Sequence, residues 1–101
     1  MAMYGPCPAG HWTRSLVRAD FGPLKAGARY RVARAFRDFD GDMHEIDEAW
    51  IFLGSNFLPY EDGLSLFVSL DGEQEWHIRL CWRPQDQGDI IDGLGDYLLP
   101  G

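Results

Sequence analysis

A chain of 101 residues with 46% hydrophobic and 14% aromatic content can close one core and not two, and that apolar load excludes disorder because it offsets the entropy of ordering. The formal net charge of -7 disfavours nucleic acids and anionic membranes as partners, since both require a positive surface. A protein partner with a basic surface, or simple solubility, fits this charge better.

In chain order, residues 1–20 read as a poorly ordered arm, because Gly5, Pro6, Pro8 and Gly10 discourage regular structure. Trp12, Leu16 and Val17 could anchor it as one helical turn. A single β domain is expected over residues 21–101. The turn Leu24-Lys25-Ala26-Gly27 feeds a first strand from Arg29 to Phe36, in which Tyr30, Val32 and Phe36 alternate with polar or small neighbours. Arg34 breaks that row and marks either a strand end or a bulge.

An acidic loop, Asp38 to Glu48, follows. Trp50 to Leu53 is apolar on both faces, as a central or corner strand would be, and Gly54-Ser55-Asn56 then turns or bends the chain. Phe57 and Leu58 begin another short extended piece, and Pro59 to Gly63 supplies a tight turn. The clearest pair of strands comes next. Leu64, Leu66, Val68 and Leu70 alternate with Ser65, Phe67 and Ser69, Asp71-Gly72 is a hairpin turn, and Trp76, Ile78, Leu80 and Trp82 form one face of the return strand. Trp50, Trp76 and Trp82 are expected in the core. After Arg83-Pro84, the residues Ile90, Ile91, Leu94, Tyr97 and Leu98 recur as a helical stripe weakened by Gly88, Gly93 and Gly95.

The fold class implied is mainly β: a small SH3-like, partly open barrel or curled antiparallel sheet of about four to five strands, with one short C-terminal helix. Cys7 and Cys81 show no metal or redox spacing and read as free thiols in a reducing cytoplasm. Neither a secretion signal nor an apolar run long enough to span a membrane is evident.

The charge is unevenly spread. Seven of the nine basic residues precede Asp38, whereas Asp20 is the one acid that does. A basic first strand can pair with acidic neighbours across a ladder, or the two signs can form a docking surface. Arg29, Arg31 and Arg37 with Tyr30 could in principle mimic a nucleic-acid groove, but the overall charge opposes this.

Among candidate site residues, the acids at Asp38, Asp40, Asp42 and Glu45 have the oxygen-rich composition of a calcium loop. The order is wrong for an EF-hand, whose sixth and twelfth places hold Met43 and Ala49 here instead of Gly and Glu. His44 beside acids could act as a general base, or it could simply tie the loop to the barrel; no serine or cysteine nucleophile is implied nearby. Asn56, Tyr60, Glu61 and Asp62 compose a turn suited to a basic or peptidic ligand. An exposed Trp82 beside Arg83 would be another contact point.

At Phe36-x-Asp38, Gly41, His44, Trp50-x-Phe52-Leu53-Gly54 and Phe57 to Leu64, the chain resembles a family of short bacterial proteins known only as a domain of unknown function. The similarity runs on through Ile78-Arg79-Leu80 and Trp82-Arg83 to Gln87, spanning residues 21–98. The resemblance implies no activity and supplies no catalytic residues. The function expected is therefore a non-enzymatic module that contacts a protein partner, as an immunity or regulatory protein would, through Asp40, Asp42, His44, Glu45, Asn56, Tyr60, Glu61 and Asp62. No cofactor is expected; the alternative is a divalent-metal protein using the acidic loop.

Overall fold

The computed structural model describes residues 4–8, 10, 20–58, 63–83 and 87–101. In chain order its elements are β1 (Tyr4–Pro8), β2 (Arg29–Val32), β3 (Phe36–Arg37), β4 (Met43–His44), β5 (Ala49–Leu58), β6 (Gly63–Ser69), β7 (Gln74–Cys81), α1 (Gly88–Asp92), α2 (Leu94–Tyr97) and β8 (Leu98–Pro100).

The period-two pattern after Gly63 does what its alternation dictates. β6 and β7 pair antiparallel with Leu64 opposite Leu80, Leu66 opposite Ile78 and Val68 opposite Trp76. One face of the hairpin is thus continuously apolar. At its turn the carboxylate of Asp71 accepts the N–H groups of Glu73 and Gln74, each at 2.8 Å, and Gly72 takes a positive φ of 80°. The row leaves the core at its ends: Leu70 and Trp82 are exposed, Trp76 is half-buried, and Trp50 is fully buried.

Growing outward, β5 pairs with β6, β2 with β5, and β8 with β2, while β1 takes the other side of β7. The result is one six-stranded antiparallel sheet in the order β1-β7-β6-β5-β2-β8 and a separate two-stranded ribbon, β3-β4. The sheet is open, with β1 and β8 at its edges, and is not a closed barrel. Tyr30, Val32, Trp50, Phe52, Leu64, Leu66, Val68, Ile78, Leu80 and Leu98 share its core face, where Phe36 from the ribbon and Ile91 and Leu94 from the helices complete one cluster. Burying each of these large side chains contributes roughly 1.5–3 kcal/mol relative to leaving it in water.

Four expectations change. The strand read from Arg29 to Phe36 is two strands, because the chain bends after Val32 and leaves Arg34 exposed at that end. Gly54-Ser55-Asn56 does not turn. β5 runs through it for 10 residues, absorbing the extra residue as a bulge between Phe52 and Gly54. The terminal helical stripe is broken at Gly93 into two short helices, and Leu98 opens an edge strand instead. Within the arm, Tyr4 to Pro8 forms an edge strand on β7, a location where proline's missing donor costs no ladder bond. Trp12, Leu16, Val17 and most of the Pro59 to Gly63 turn lie outside the described residues.

Candidate functional site

The acidic segment is a built ribbon, not a solvated connection. β3 and β4 pair Phe36 with His44 and Arg37 with Met43. Phe36, Asp38 and His44 consequently point inward, while Arg37 and Met43 point outward. The turn between the strands is closed by Asp38 itself. Its N–H donates to the carbonyl of Asp42 at 3.0 Å, and its Oδ1 accepts the N–H groups of Asp40 and Asp42, both at 3.0 Å. At the ribbon's other end Asp47 and Glu48 clasp Val32: Asp47 N–H donates to Val32 O at 2.9 Å, and Val32 N–H to Glu48 O at 2.8 Å.

His44 sits between the two ends. Its Nε2 lies 2.8 Å from Oδ2 of Asp38 and its Nδ1 lies 2.6 Å from Oε2 of Glu48. The side chains of the trio are 0%, 2% and 8% exposed respectively. The same Glu48 oxygen accepts the indole N–H of Trp50 at 3.1 Å. The ring of Phe36 stacks on the imidazole with centroids 4.8 Å apart, the edge of Tyr97 meets Phe36, and the guanidinium of Arg34 lies 4.7 Å above Tyr97.

Both imidazole nitrogens therefore face carboxylate oxygens, which only accept hydrogen bonds when ionised. A doubly protonated ring is the form that satisfies both. Burial pulls the His44 pKa down, but the hydrogen bonds and charges of Glu48 and Asp38 outweigh it, and the pKa is raised above the ordinary 6.5. His77 on β7 shows the opposite balance: burial and the positive charge of Arg79 push it down to about 4. Chemically, the trio is a charge clamp. The imidazole edge that a general base would offer to a substrate is occupied at both nitrogens by carboxylates.

The remaining acids of the ribbon face outward. Asp40 forms a bidentate pair with Arg79 of β7, with Nε to Oδ2 at 3.0 Å and a second bond from Nη2 to Oδ1, and the N–H of Phe39 donates to Arg79 O at 2.8 Å. The ribbon is thereby strapped across to β7. Arg79 lies 39 positions from Asp40 in sequence. Glu45 and Asp47 are exposed and Asp42 is half-buried. Three large apolar side chains of the same stretch are exposed: Phe39 at 50%, Met43 at 37% and Ile46 at 58%.

Of the residues expected to meet a partner, Asp40, Asp42 and Glu45 stand together on this ribbon. Asn56 joins them indirectly, because Asn56, Ser65 and Arg79 form one row across β5, β6 and β7, with Arg79 about two strand spacings or 10 Å from Asn56, and Arg79 in turn pairs with Asp40. His44 does not belong to a contact surface, since it is fully buried and serves the ribbon from within. Tyr60, Glu61 and Asp62 lie outside the described residues. Asp38, an oxygen donor in the metal alternative, already spends both oxygens on protein donors, and among the described residues no group of His, Cys, Asp and Glu has the geometry to hold a metal ion.

Sequence reasoning missed Glu48 as the second carboxylate of His44. It also missed the exposed Phe39, Met43 and Ile46. Alternation along β3 from Phe36 could have pointed to Asp38 as an inward acid, whereas Glu48 meets His44 only through the pairing of the folded ribbon.

Residues 18–99 match the family described as a domain of unknown function, DUF3601. The chain belongs to that family. Among solved structures, an integron cassette protein from the mobile metagenome of Vibrio cholerae is similar, with a TM-score of 0.80 and 44% identity over 84% of this chain and 93% of the other. No curated protein matches the chain. The DUF3601 chain has a mainly β fold, and among the described residues no helix is long and apolar enough to cross a membrane.

Proposed function

We propose that this DUF3601 protein is a non-enzymatic module that docks a protein partner through the ribbon between Asp38 and Glu48, as an immunity or regulatory protein does. The observation that carries this reading is the placement of Phe39, Met43 and Ile46. Five large hydrophobic side chains are exposed among the described residues, and these three lie on the ribbon. They stand among Asp40, Asp42, Glu45 and Asp47 on a chain of net charge -7. Apolar anchors ringed by like charges suit a partner whose own apolar patch is bordered by Lys and Arg, with complementary charge speeding encounter and burial of the anchors slowing release. The clamp at His44 and the strap to Arg79 support it further, since a preorganised surface loses less entropy on binding.

The test is affinity isolation from the native host at low salt with the wild-type chain and with a Phe39→Ser, Ile46→Ser variant. A stoichiometric partner retained by the wild type, released by salt and lost by the folded variant is the expected result. A partner that ignores the double substitution, or repeated recovery of none, overturns the reading.

A further inference from the structure

We propose that His44 is a proton-operated latch on this ribbon: the doubly protonated imidazole ties Asp38 at the Asp38–Asp42 turn to Glu48 at the root of β5, and loss of one ring proton releases one end. The ribbon is the docking surface of the preceding reading, so the latch regulates that surface and rests on that reading for its biological use.

The geometry leaves the ring no neutral way to keep both partners. A neutral imidazole has one N–H donor and one bare nitrogen. Whichever tautomer forms, one carboxylate then faces a lone pair at 2.6 or 2.8 Å. That contact is repulsive in a site closed to water, where an unpaired charge costs most. The ends differ in what else holds them. Glu48 keeps the Trp50 indole N–H and a backbone clasp on Val32. Asp38 keeps the Asp40 and Asp42 amides, all within its own turn. The Asp38 carboxylate, and with it the bonds to these two amides, is therefore the end that gives way, while Arg79 still holds the tip on β7 through Asp40 and Phe39.

The charged and titratable groups around the ring come from each element packed on it. The ribbon turn contributes Asp38 and, farther out, Asp40 with its β7 partner Arg79. The segment entering β5 contributes Glu48. On the stacked side the neutral ring of Phe36 intervenes before Tyr97 of α2 and Arg34. From β7, His77 senses Asp38 and Asp40 as weak charges but is itself held neutral at ordinary pH. Of these, the two carboxylates in contact with the ring set its protonation.

The test uses the free protein, so its failure and failure of partner docking are separable. Ring nitrogen shifts of His44 and amide exchange protection are followed by NMR from about pH 6 to pH 9, with protection corrected for the intrinsic base-catalysed rate. The expected result is a doubly protonated ring at the low end and a loss of about tenfold or more in protection at Asp40 and Asp42 as the ring titrates, about 1.4 kcal/mol of local opening. Amides of Phe52 and Val68 keep their protection. A Glu48→Gln variant, whose amide can donate to a neutral ring or accept from a charged one, keeps the turn protected throughout. Protection that is indifferent to the ring's titration, a ring neutral at pH 6, or a Glu48→Gln turn that still opens with pH would each overturn the latch.

Discussion

Arg79 grips Asp40 from the neighbouring sheet, with Nε donating to Oδ2 at 3.0 Å in a two-bond fork, and so fastens the tip of the β3-β4 ribbon to the strand that pairs with β1 and β6. The guanidinium is 43% exposed and the carboxylate 18%, so solvent screens the pair and its contribution is about 0.5–1 kcal/mol. Arg79→Ala is expected to lower stability by that amount at low salt and by less at about 0.5 M salt. A loss well above 1 kcal/mol, unchanged by salt in denaturant titrations, would show that the strap acts through the contact of the Arg79 guanidinium with the Phe39 ring, 5.9 Å from its centroid, instead.

How much of this was legible beforehand follows from which forces are local. The β6-β7 hairpin was legible because period two and an Asp-Gly turn are nearest-neighbour signals. The acidic segment was legible as a loop by composition, yet composition does not say which acid turns inward. Asp38 and Glu48 flank His44 only once β3 pairs with β4 and β5 starts beneath them. The strand at Leu98 was hidden for the same reason: Leu98 fits a helical stripe at eight positions from Ile90, whereas its pairing with Val32 spans most of the chain. Proline and glycine disguised β1, since their bias against ladders is weakest at a sheet edge.

Gly88 offers a steric prediction. A Cβ placed there would lie 2.7 Å from the carbonyl oxygen and 2.9 Å from the carbonyl carbon of Arg83, backbone atoms that cannot swing aside, and the Gly88 N–H bonds that same oxygen at 2.9 Å. Gly88→Ala should shift the start of α1 and cost about 1–3 kcal/mol as overpacking. It would also loosen the docking of Ile91 and Leu94 in the core. Urea unfolding checks it, and a change within about 0.5 kcal/mol would mean that the Arg83 turn yields easily.

Trp50 combines two roles, filling the core at 0% exposure and donating its indole N–H to Glu48. Trp50→Phe removes a bond to a charged acceptor and leaves a void, so a loss of about 2–4 kcal/mol is expected. The share due to the acceptor's charge is separated from the void by repeating the substitution in a Glu48→Gln background. Because the Gln amide oxygen can still accept the indole N–H, this cycle isolates the charge of the acceptor: coupling of about 0.5 kcal/mol or more is expected, and strict additivity would show that the charge adds nothing to the bond.

The two described histidines predict opposite limbs of a stability profile. His44 has a folded pKa above its unfolded value near 6.5, so its stabilisation is complete below pH 6.5 and is lost as pH rises through the folded value. His77 has a folded pKa lowered to about 4 from 6.5. Its contribution is complete above pH 6.5 and is lost as pH falls toward about 4. Stability in guanidinium titrations should therefore peak near the unfolded histidine pKa and fall on both sides. His77→Phe keeps a ring against Phe67, now 4.9 Å from the imidazole, and cannot titrate, so it should flatten the acid limb while leaving the alkaline one. Glu48→Gln should do the reverse, because the clamp no longer needs a second ring proton. An alkaline limb that persists in Glu48→Gln, or an acid limb unchanged in His77→Phe, would assign those slopes to other groups.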